Sequence, residues 1–164
     1  MAISHSLDIQ TSLSAKGVEQ LLLSSNLGLG FIEGIEFIED DTEFNNSSLN
    51  GLGISITPRK ASKLAKEITL EDYGFIPDIS IGFDMLRYES ETAGMETTAK
   101  VLSILLVETD GDAVFFLNSD YIVFKSLNRK LIVYKEISEW LMPELDKARI
   151  KYEMEKSEYA EEFS

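Results

Sequence analysis

Alternating apolar and polar residues between Ile79 and Met85 restrict the fold of this chain more than any other feature. Isoleucine, phenylalanine and methionine occupy every second position of this segment, and serine, glycine and aspartate stand between them. A period of two is typical of a strand that packs one face on a core and keeps the other face polar. We therefore expect a half-buried strand here, in a sheet with one covered face.

The segments that follow this strand predict what covers the sheet. Residues 94–109 place Met95, Ala99, Leu102 and Leu106 at helical spacing, which indicates a helix lying on a sheet. Three segments that are apolar on both faces come next, so we expect a central meander of strands. These segments are Ala113–Leu117, Tyr121–Lys125 and Leu131–Tyr134.

The N-terminal half predicts further strands and one helix with recognisable ends. Ser14 is a suitable N-cap, and the Asn26–Gly28 segment can end the helix that begins there. Pro58 is expected to end a strand, and a short helix or turn is expected between Lys60 and Glu67. The predicted strands are Ile3–Ile9, Phe31–Ile38 and Leu52–Ile56, the last two separated by a polar loop of Asp, Asn and Ser.

Helical spacing of apolar residues continues at the C-terminus through otherwise charged sequence. Leu141, Leu145, Tyr152, Tyr159 and Phe163 keep this spacing. We predict one α+β domain over residues 1–140, with residues 141–164 as an acidic amphipathic helix or tail of the same domain. Its sheet is expected to be single, antiparallel or mixed, with about six to seven strands. Two main helices are expected on one face, followed by the C-terminal helix.

The charge of the chain restricts its partners. It contains 29 acidic and 15 basic residues, a formal net charge of −14, which repels nucleic-acid phosphates and argues against binding of DNA or RNA. A basic protein partner would be attracted, whereas the simpler explanation is that acidity maintains solubility. The N-terminus resembles no secretory signal and no apolar run could span a membrane, so we expect a cytoplasmic protein without membrane contact.

Several chemistries lack the residues that they need. The chain has no cysteine and one histidine, so no thiol nucleophile or usual zinc site can form. His5 lies on the apolar face of the first strand, where a core role is the simpler reading than acid–base catalysis. The glycines fit neither a dinucleotide fingerprint nor a Walker loop, and we therefore predict no cofactor, no metal and no enzymatic activity.

Two acidic groups and one tryptophan remain as candidates. Glu39, Asp40, Asp41 and Glu43 are compatible with a solvated loop, a partner-facing patch or a hard-cation site, although the spacing is not that of a calcium loop. The acids around Gly111, namely Glu108, Asp110 and Asp112, are explained more simply by a turn than by paired catalytic carboxylates. Trp140 either caps the core or anchors an interface.

The distinctive part of the chain spans residues 73–134. YGFIPDISIGFDMLRYE, GMETTAKVLSILL and GDAVFFLNSDYIVFK, together with Leu131–Val133 and Trp140, resemble the third-type swarm-inhibition immunity protein family of bacterial polymorphic toxin systems. The resemblance extends more weakly over residues 1–140. It implies a cytoplasmic protein that protects its producer by binding and blocking a cognate toxin, and it brings no catalytic residues with it.

We therefore expect a non-enzymatic immunity-type protein that occludes a toxin, with a basic toxin surface favoured. The candidate partner-binding residues are Glu39, Asp40, Asp41, Glu43 and Trp140. The alternative is a cytoplasmic regulatory or scaffold domain that binds another protein through the C-terminal helix. A hydrolase that uses converged carboxylates is a third hypothesis. The oligomeric state and the identity of the partner remain open at this point.

Overall fold

The computed structural model describes residues 3–33, 35–38, 42–45, 47–85, 91–118 and 120–158 of the chain. These ranges contain the helices α1 (Ala15–Leu23), α2 (Lys63–Tyr73), α3 (Glu91–Glu108) and α4 (Met142–Lys147). The strands are β1 (Ile3–Ile9), β2 (Gly30–Ile32), β3 (Ile35–Ile38), β4 (Thr42–Asn45), β5 (Ser48–Gly51), β6 (Ile54–Lys60), β7 (Ile79–Met85), β8 (Ala113–Leu117), β9 (Tyr121–Leu127), β10 (Lys130–Tyr134) and β11 (Glu153–Glu155).

Nine of these strands form one sheet in the order β11-β10-β9-β8-β1-β7-β6-β5-β2. Neighbouring strands are antiparallel except β10 and β11, which are parallel. The N-terminal strand β1 lies at the centre, where Leu7 stands opposite Ile81 of β7 on one side and Phe115 of β8 on the other. The α+β class and the mixed sheet are thus confirmed.

One face of the large sheet packs against α1, α3 and α4. The alternation predicted from Ile79 to Met85 is confirmed in β7, where every second side chain is buried. As predicted, α1 begins at Ser14, whose Oγ accepts a hydrogen bond from the Gly17 backbone N–H at 3.0 Å. None of the helices in the described ranges has the length and apolar character needed to cross a bilayer. The helices bury Val18, Leu22, Leu102, Leu105, Leu141 and Leu145 in the same cluster as β7.

The opposite face of the sheet carries α2, which the sequence indicated only as a short helix or turn. The helix begins after Ser62, whose Oγ accepts a hydrogen bond from the Ala65 backbone N–H, and ends at Gly74 with φ +79°. Thr69 Oγ1 donates a hydrogen bond to Asp8 Oδ2 at 3.3 Å. Because Asp8 alternates with the buried Leu7 and Ile9, this contact places α2 on the polar side of β1.

The sheet is larger than the predicted six to seven strands. The expected strand Phe31–Ile38 is divided between β2, at one edge of the large sheet, and β3, which pairs with β4 in a separate two-stranded sheet. Residues 42–51, expected as part of a polar loop, supply β4 and β5 because backbone pairing outweighs the low strand propensity of Asn and Ser. Pro58 does not end its strand: β6 continues to Lys60, which stands opposite Ile79.

The C-terminal helix is much shorter than the apolar spacing indicated. α4 has six residues, and Arg149 adopts φ +57°, a left-handed conformation that ends the helical path. The chain then returns along the sheet, and β11 pairs with β10, an edge whose backbone groups would otherwise lack strand partners. The Ser157 backbone N–H donates to Glu136 Oε2 at 2.7 Å and fixes the end of this segment.

His5 is a core residue, as the sequence favoured. Its side chain is buried, and its Nδ1 accepts a hydrogen bond from the Asn118 backbone N–H at 3.1 Å. Because Nδ1 is an acceptor, the imidazole is neutral and carries its proton on Nε2. Burial lowers the pKa of His5 below its ordinary value, and the nearby Asp84 carboxylate opposes this effect.

Gly111 provides the first test of this packing. A Cβ atom at this position would overlap the Gln10 carbonyl oxygen, which belongs to rigid backbone because the Gln10 N–H donates to the Asp112 carbonyl. We predict that Gly111→Ala lowers the free energy of unfolding, measured in urea, by about 1–3 kcal/mol. Gly30→Ala is the matched control, since its nearest atom would be 3.9 Å away. An equal loss in both variants would contradict the proposed close approach.

His5 predicts a pH dependence of stability. Below the ordinary value of 6.5 the unfolded chain binds a proton at His5, whereas the folded chain resists it until a lower pH. Stability relative to His5→Gln should therefore fall as the pH decreases below this value, by at most about 1.4 kcal/mol per pH unit. Urea unfolding of both proteins between neutral and mildly acidic pH measures this difference. Parallel curves would contradict the neutral, buried histidine.

Candidate functional site

The predicted acidic patch falls largely outside the described structure. Glu39, Asp40 and Asp41 lie outside the described residues. Glu43 belongs to β4, where its backbone stands opposite Phe37 of β3. The role of these four acids as a partner-facing patch therefore stays a prediction.

Trp140 has the core-capping position that was one of its two predicted roles. Its Nε1–H donates to the Ile137 carbonyl oxygen at 2.9 Å, and its ring meets the Phe115 ring in a T-shaped contact at 6.0 Å between centroids. The other side of the indole lines a groove of about 680 Å³ between α3 and α4, together with Met95 and Pro143. We call this the Trp140 groove.

The rim of the Trp140 groove is balanced in charge. Glu96 and Lys100 of α3 and Glu144 and Lys147 of α4 all belong to its lining, and Lys147 Nζ lies 3.4 Å from Glu144 Oε1. Such a surface offers an apolar contact area but selects for neither an acidic nor a basic partner. The second role of Trp140, as an interface anchor, stays a prediction.

The acids around Gly111 separate into two environments. Asp112 Oδ1 accepts a hydrogen bond from the Asn128 backbone N–H at 2.9 Å, so it stabilises the turn between β9 and β10, which is not the local turn at Gly111 that the sequence indicated. Glu108 and Asp110 line a second depression with Asp78, which we call the Gly111 pocket. No aliphatic or aromatic side chain is among the residues that line it. Within the described ranges, no three His, Asp or Glu side chains form a group that could hold a metal ion.

A further groove, which the sequence did not indicate, lies on the open face of the sheet between α2 and the strands β1, β8 and β9. Its volume is about 360 Å³. Five apolar or aromatic side chains contribute to its lining: Ala65, Ile68 and Tyr73 of α2, Phe116 of β8 and Ile122 of β9. The rings of Tyr73 and Phe116 meet edge to face, with 5.8 Å between centroids. We call this the open-face groove.

Acidic side chains surround the apolar part of the open-face groove. Asp8, Asp72, Asp120 and Glu158 belong to its lining, and no lysine or arginine does. Lys125 and Lys156 line an adjoining depression that shares Ile122 and Glu158 with the groove. The lining of the open-face groove therefore combines an apolar surface with negatively charged side chains.

Asp8 is the most enclosed of these carboxylates. Its Oδ1 accepts a hydrogen bond from Ser80 Oγ at 2.6 Å, and its Oδ2 accepts one from Thr69 Oγ1 at 3.3 Å. Burial raises the pKa of Asp8 above its ordinary value, although both hydroxyl groups act in the opposite direction. Among the described residues, the carboxylate is thus held by two neutral hydroxyl donors and has no cationic partner.

The open-face groove was missed because its residues come from distant parts of the sequence. Asp8 and Phe116 meet across adjacent strands, whereas Asp72 and Tyr73 come from a helix whose length the sequence underestimated. The spacing of Ala65, Thr69 and Asp72 on one side of α2 was the available signal, since i, i+4 and i+7 positions share a helix face. Without the fold, that spacing could not be related to β1.

The comparisons with known proteins agree with the motifs of the central segment. No curated protein and no solved structure matches the chain. A family model described as SitI3-like matches residues 3–144, a range that includes the large sheet up to β10, the helices α1, α2 and α3, and the first half of α4. It is the swarm-inhibition immunity family that the strand, helix and Gly-Asp-Ala-Val motifs resemble. The chain therefore belongs to the SitI3-like family of immunity-type proteins.

Proposed function

We propose that this protein is a non-enzymatic, cytoplasmic immunity protein that neutralises a cognate bacterial toxin by binding it directly and occluding its active surface. The observation that carries this proposal is the family match over residues 3–144. The match covers the central sheet and the helices on both of its faces. It therefore concerns the folded scaffold as a whole and not a short motif.

The charge of the chain supports a basic toxin surface as the target. A net charge of −14 creates a negative field that accelerates encounter with a positively charged protein. Toxins that act on nucleic acids or other anionic substrates need basic clefts, and an acidic protein can cover such a cleft by charge complementarity. Occlusion of this kind requires a preformed surface but no reacting group on the inhibitor.

The packing of the chain supports binding with little rearrangement. Side chains of α1, α3 and α4 share one buried cluster with the central strands, and this cluster fixes the helices on the sheet. A surface that is already ordered loses little conformational entropy on association, which favours tight binding. Immunity requires such tight binding because every toxin molecule must be blocked.

The alternative of a scaffold domain that binds through its C-terminal helix receives no support from the structure. Leu141 and Leu145, the apolar residues that suggested an exposed helical face, are fully buried. Removal of residues 141–164 would expose the core and delete β11. Loss of binding in that truncated protein would therefore be a consequence of unfolding and not evidence for a binding site on the helix. A test of this alternative must leave α4 in place.

Protection from a toxin is the direct test of the proposed function. We predict that co-expression with the toxin encoded by the adjacent reading frame restores growth of a susceptible bacterial host, and that the two purified proteins form a stable complex. An unrelated acidic protein of similar net charge is the control and should not protect. Failure to bind or protect against every neighbouring toxin candidate would overturn the proposal.

The contribution of charge to association can be measured separately. We predict that the association rate constant with the toxin falls at least about tenfold between low ionic strength and about 0.3 M salt, because salt screens long-range attraction. The dissociation rate constant should change much less. Stopped-flow or surface-based kinetics would give both constants. An association rate that does not respond to salt would contradict a basic target surface.

A further inference from the structure

We propose that the open-face groove is the surface that receives the toxin, and that its occupant is a basic segment of the toxin that carries an arginine side chain. The identity of the partner rests on the proposed function. The choice of surface and of chemistry rests on the groove itself. Four features support it: an uncovered helix face, an aromatic pair, charge of one sign and a carboxylate without a cation.

The outer side of α2 leaves apolar residues uncovered. Leu64 is 65% exposed and Ile68 is 49% exposed, one helical turn apart on the same side of the helix. Thr69 is the α2 residue that is buried against the sheet. Ile68 also lines the open-face groove, so the exposed apolar surface continues from the helix into the groove. Continuous apolar surface of this kind is typical of protein-binding sites.

The aromatic pair in the groove suits a guanidinium group. Tyr73 and Phe116 meet edge to face, and both half-buried rings line the groove, where aromatic rings offer a stacking surface for a planar cation. Asp72 and Asp120 are both exposed at the groove and can accept the N–H groups of that cation. Arginine combines stacking with paired hydrogen bonds to carboxylates, which lysine cannot do.

Charge determines which kind of partner is attracted. The groove presents Asp8, Asp72, Asp120 and Glu158 without a lysine or arginine in its lining. Asp8 adds an enclosed carboxylate held only by hydroxyl donors, which a cation would stabilise. A second copy of this chain, with net charge −14, would be repelled. The chain's own last residues include Glu161 and Glu162 and would also be repelled.

The other described depressions fit a basic segment less well. The Trp140 groove has two lysines and two glutamates at its rim, so it does not select for charge. The Gly111 pocket has carboxylates but no apolar or aromatic lining, so it offers no stacking surface. The open-face groove differs from both because it joins acidic and apolar chemistry in one place. This contrast also supplies the control for the experiment.

The experiment titrates the full-length, ¹⁵N-labelled protein with a tetra-arginine peptide and follows backbone amide shifts by NMR. We expect the largest shifts in α2 and at Phe116, Asp120 and Ile122. Asp72→Asn combined with Asp120→Asn should weaken peptide affinity by at least about fivefold, because it removes two exposed carboxylates without changing side-chain size. Tetra-lysine should bind at least about threefold more weakly than tetra-arginine.

A matched control removes the same charge elsewhere. Glu108→Gln combined with Asp110→Asn also eliminates two carboxylates, but at the Gly111 pocket. This variant should bind the peptide within about twofold of the wild type, since local contacts outweigh long-range charge at physiological salt. Equal weakening by both double variants, or peptide shifts centred on the Gly111 pocket, would overturn the assignment of the groove.

The apolar part of the groove is tested with a second pair of variants. Ile68→Ser removes an exposed apolar side chain from the groove, whereas Val107→Ser removes one of similar exposure, 56%, from α3. With the cognate toxin, Ile68→Ser and the Asp72→Asn/Asp120→Asn variant should each weaken affinity at least about tenfold. Val107→Ser should stay within about twofold. Toxin binding that is unaffected by the groove variants would overturn this inference and leave the proposed function intact.

The remaining outcomes separate the two proposals. If the wild-type protein binds no toxin candidate, the proposed function fails, and the peptide titration still decides whether the groove binds basic segments. Tyr159→Ser combined with Phe163→Ser, in the full-length chain, tests the chain's own C-terminus as the occupant. Groove shifts in this variant as large as those caused by the peptide would overturn the proposal of an external basic segment.

Discussion

The position of β1 between β7 and β8 is the constraint on which the rest of the structure depends. Each side chain of this strand lies on one of the two faces of the sheet. Because successive side chains alternate, Leu7 and Ile9 lie in the core, whereas Asp8 lies on the open face. The core face binds α1 and α3 by apolar packing. The open face holds α2 through polar contacts, of which Thr69 with Asp8 is one. A groove with acidic walls follows directly from this division.

Local patterns predicted the central elements well. The structure confirms the elements indicated by the alternation in β7, the N-cap at Ser14 and the helical spacing after Met95. Each of these patterns depends on residues that are close together in the sequence. Strands β5 and β11 were not predicted, because their residues have little strand propensity and pair only when a neighbouring edge is present. The tail spacing misled because Leu141 and Leu145 are core residues, whereas Tyr152 lies beyond the left-handed Arg149 and outside any helix.

The candidate site was less predictable than the fold. Sequence reasoning ranked residues by local density of charge and by rarity, which selected Glu43 with its neighbours and Trp140. The groove instead depends on Asp8, Asp72 and Phe116, which are unremarkable in sequence and meet only through the pairing of β1 with β8 and the placement of α2. A surface for protein recognition is built from such long-range proximity. Catalytic motifs are easier to find because their spacing is often local.

The scaffold motifs and the proposed binding surface are different parts of one molecule. The Gly-Asp-Ala-Val segment contributes turn and core residues, and Gly111 serves close packing against Gln10. Hydrogen exchange of the full-length protein, with and without its toxin, tests most directly whether function resides in the groove. The account predicts protection of amides in α2 and around the β8–β9 turn on binding. Protection confined to α3 and α4, with α2 unchanged, would contradict it.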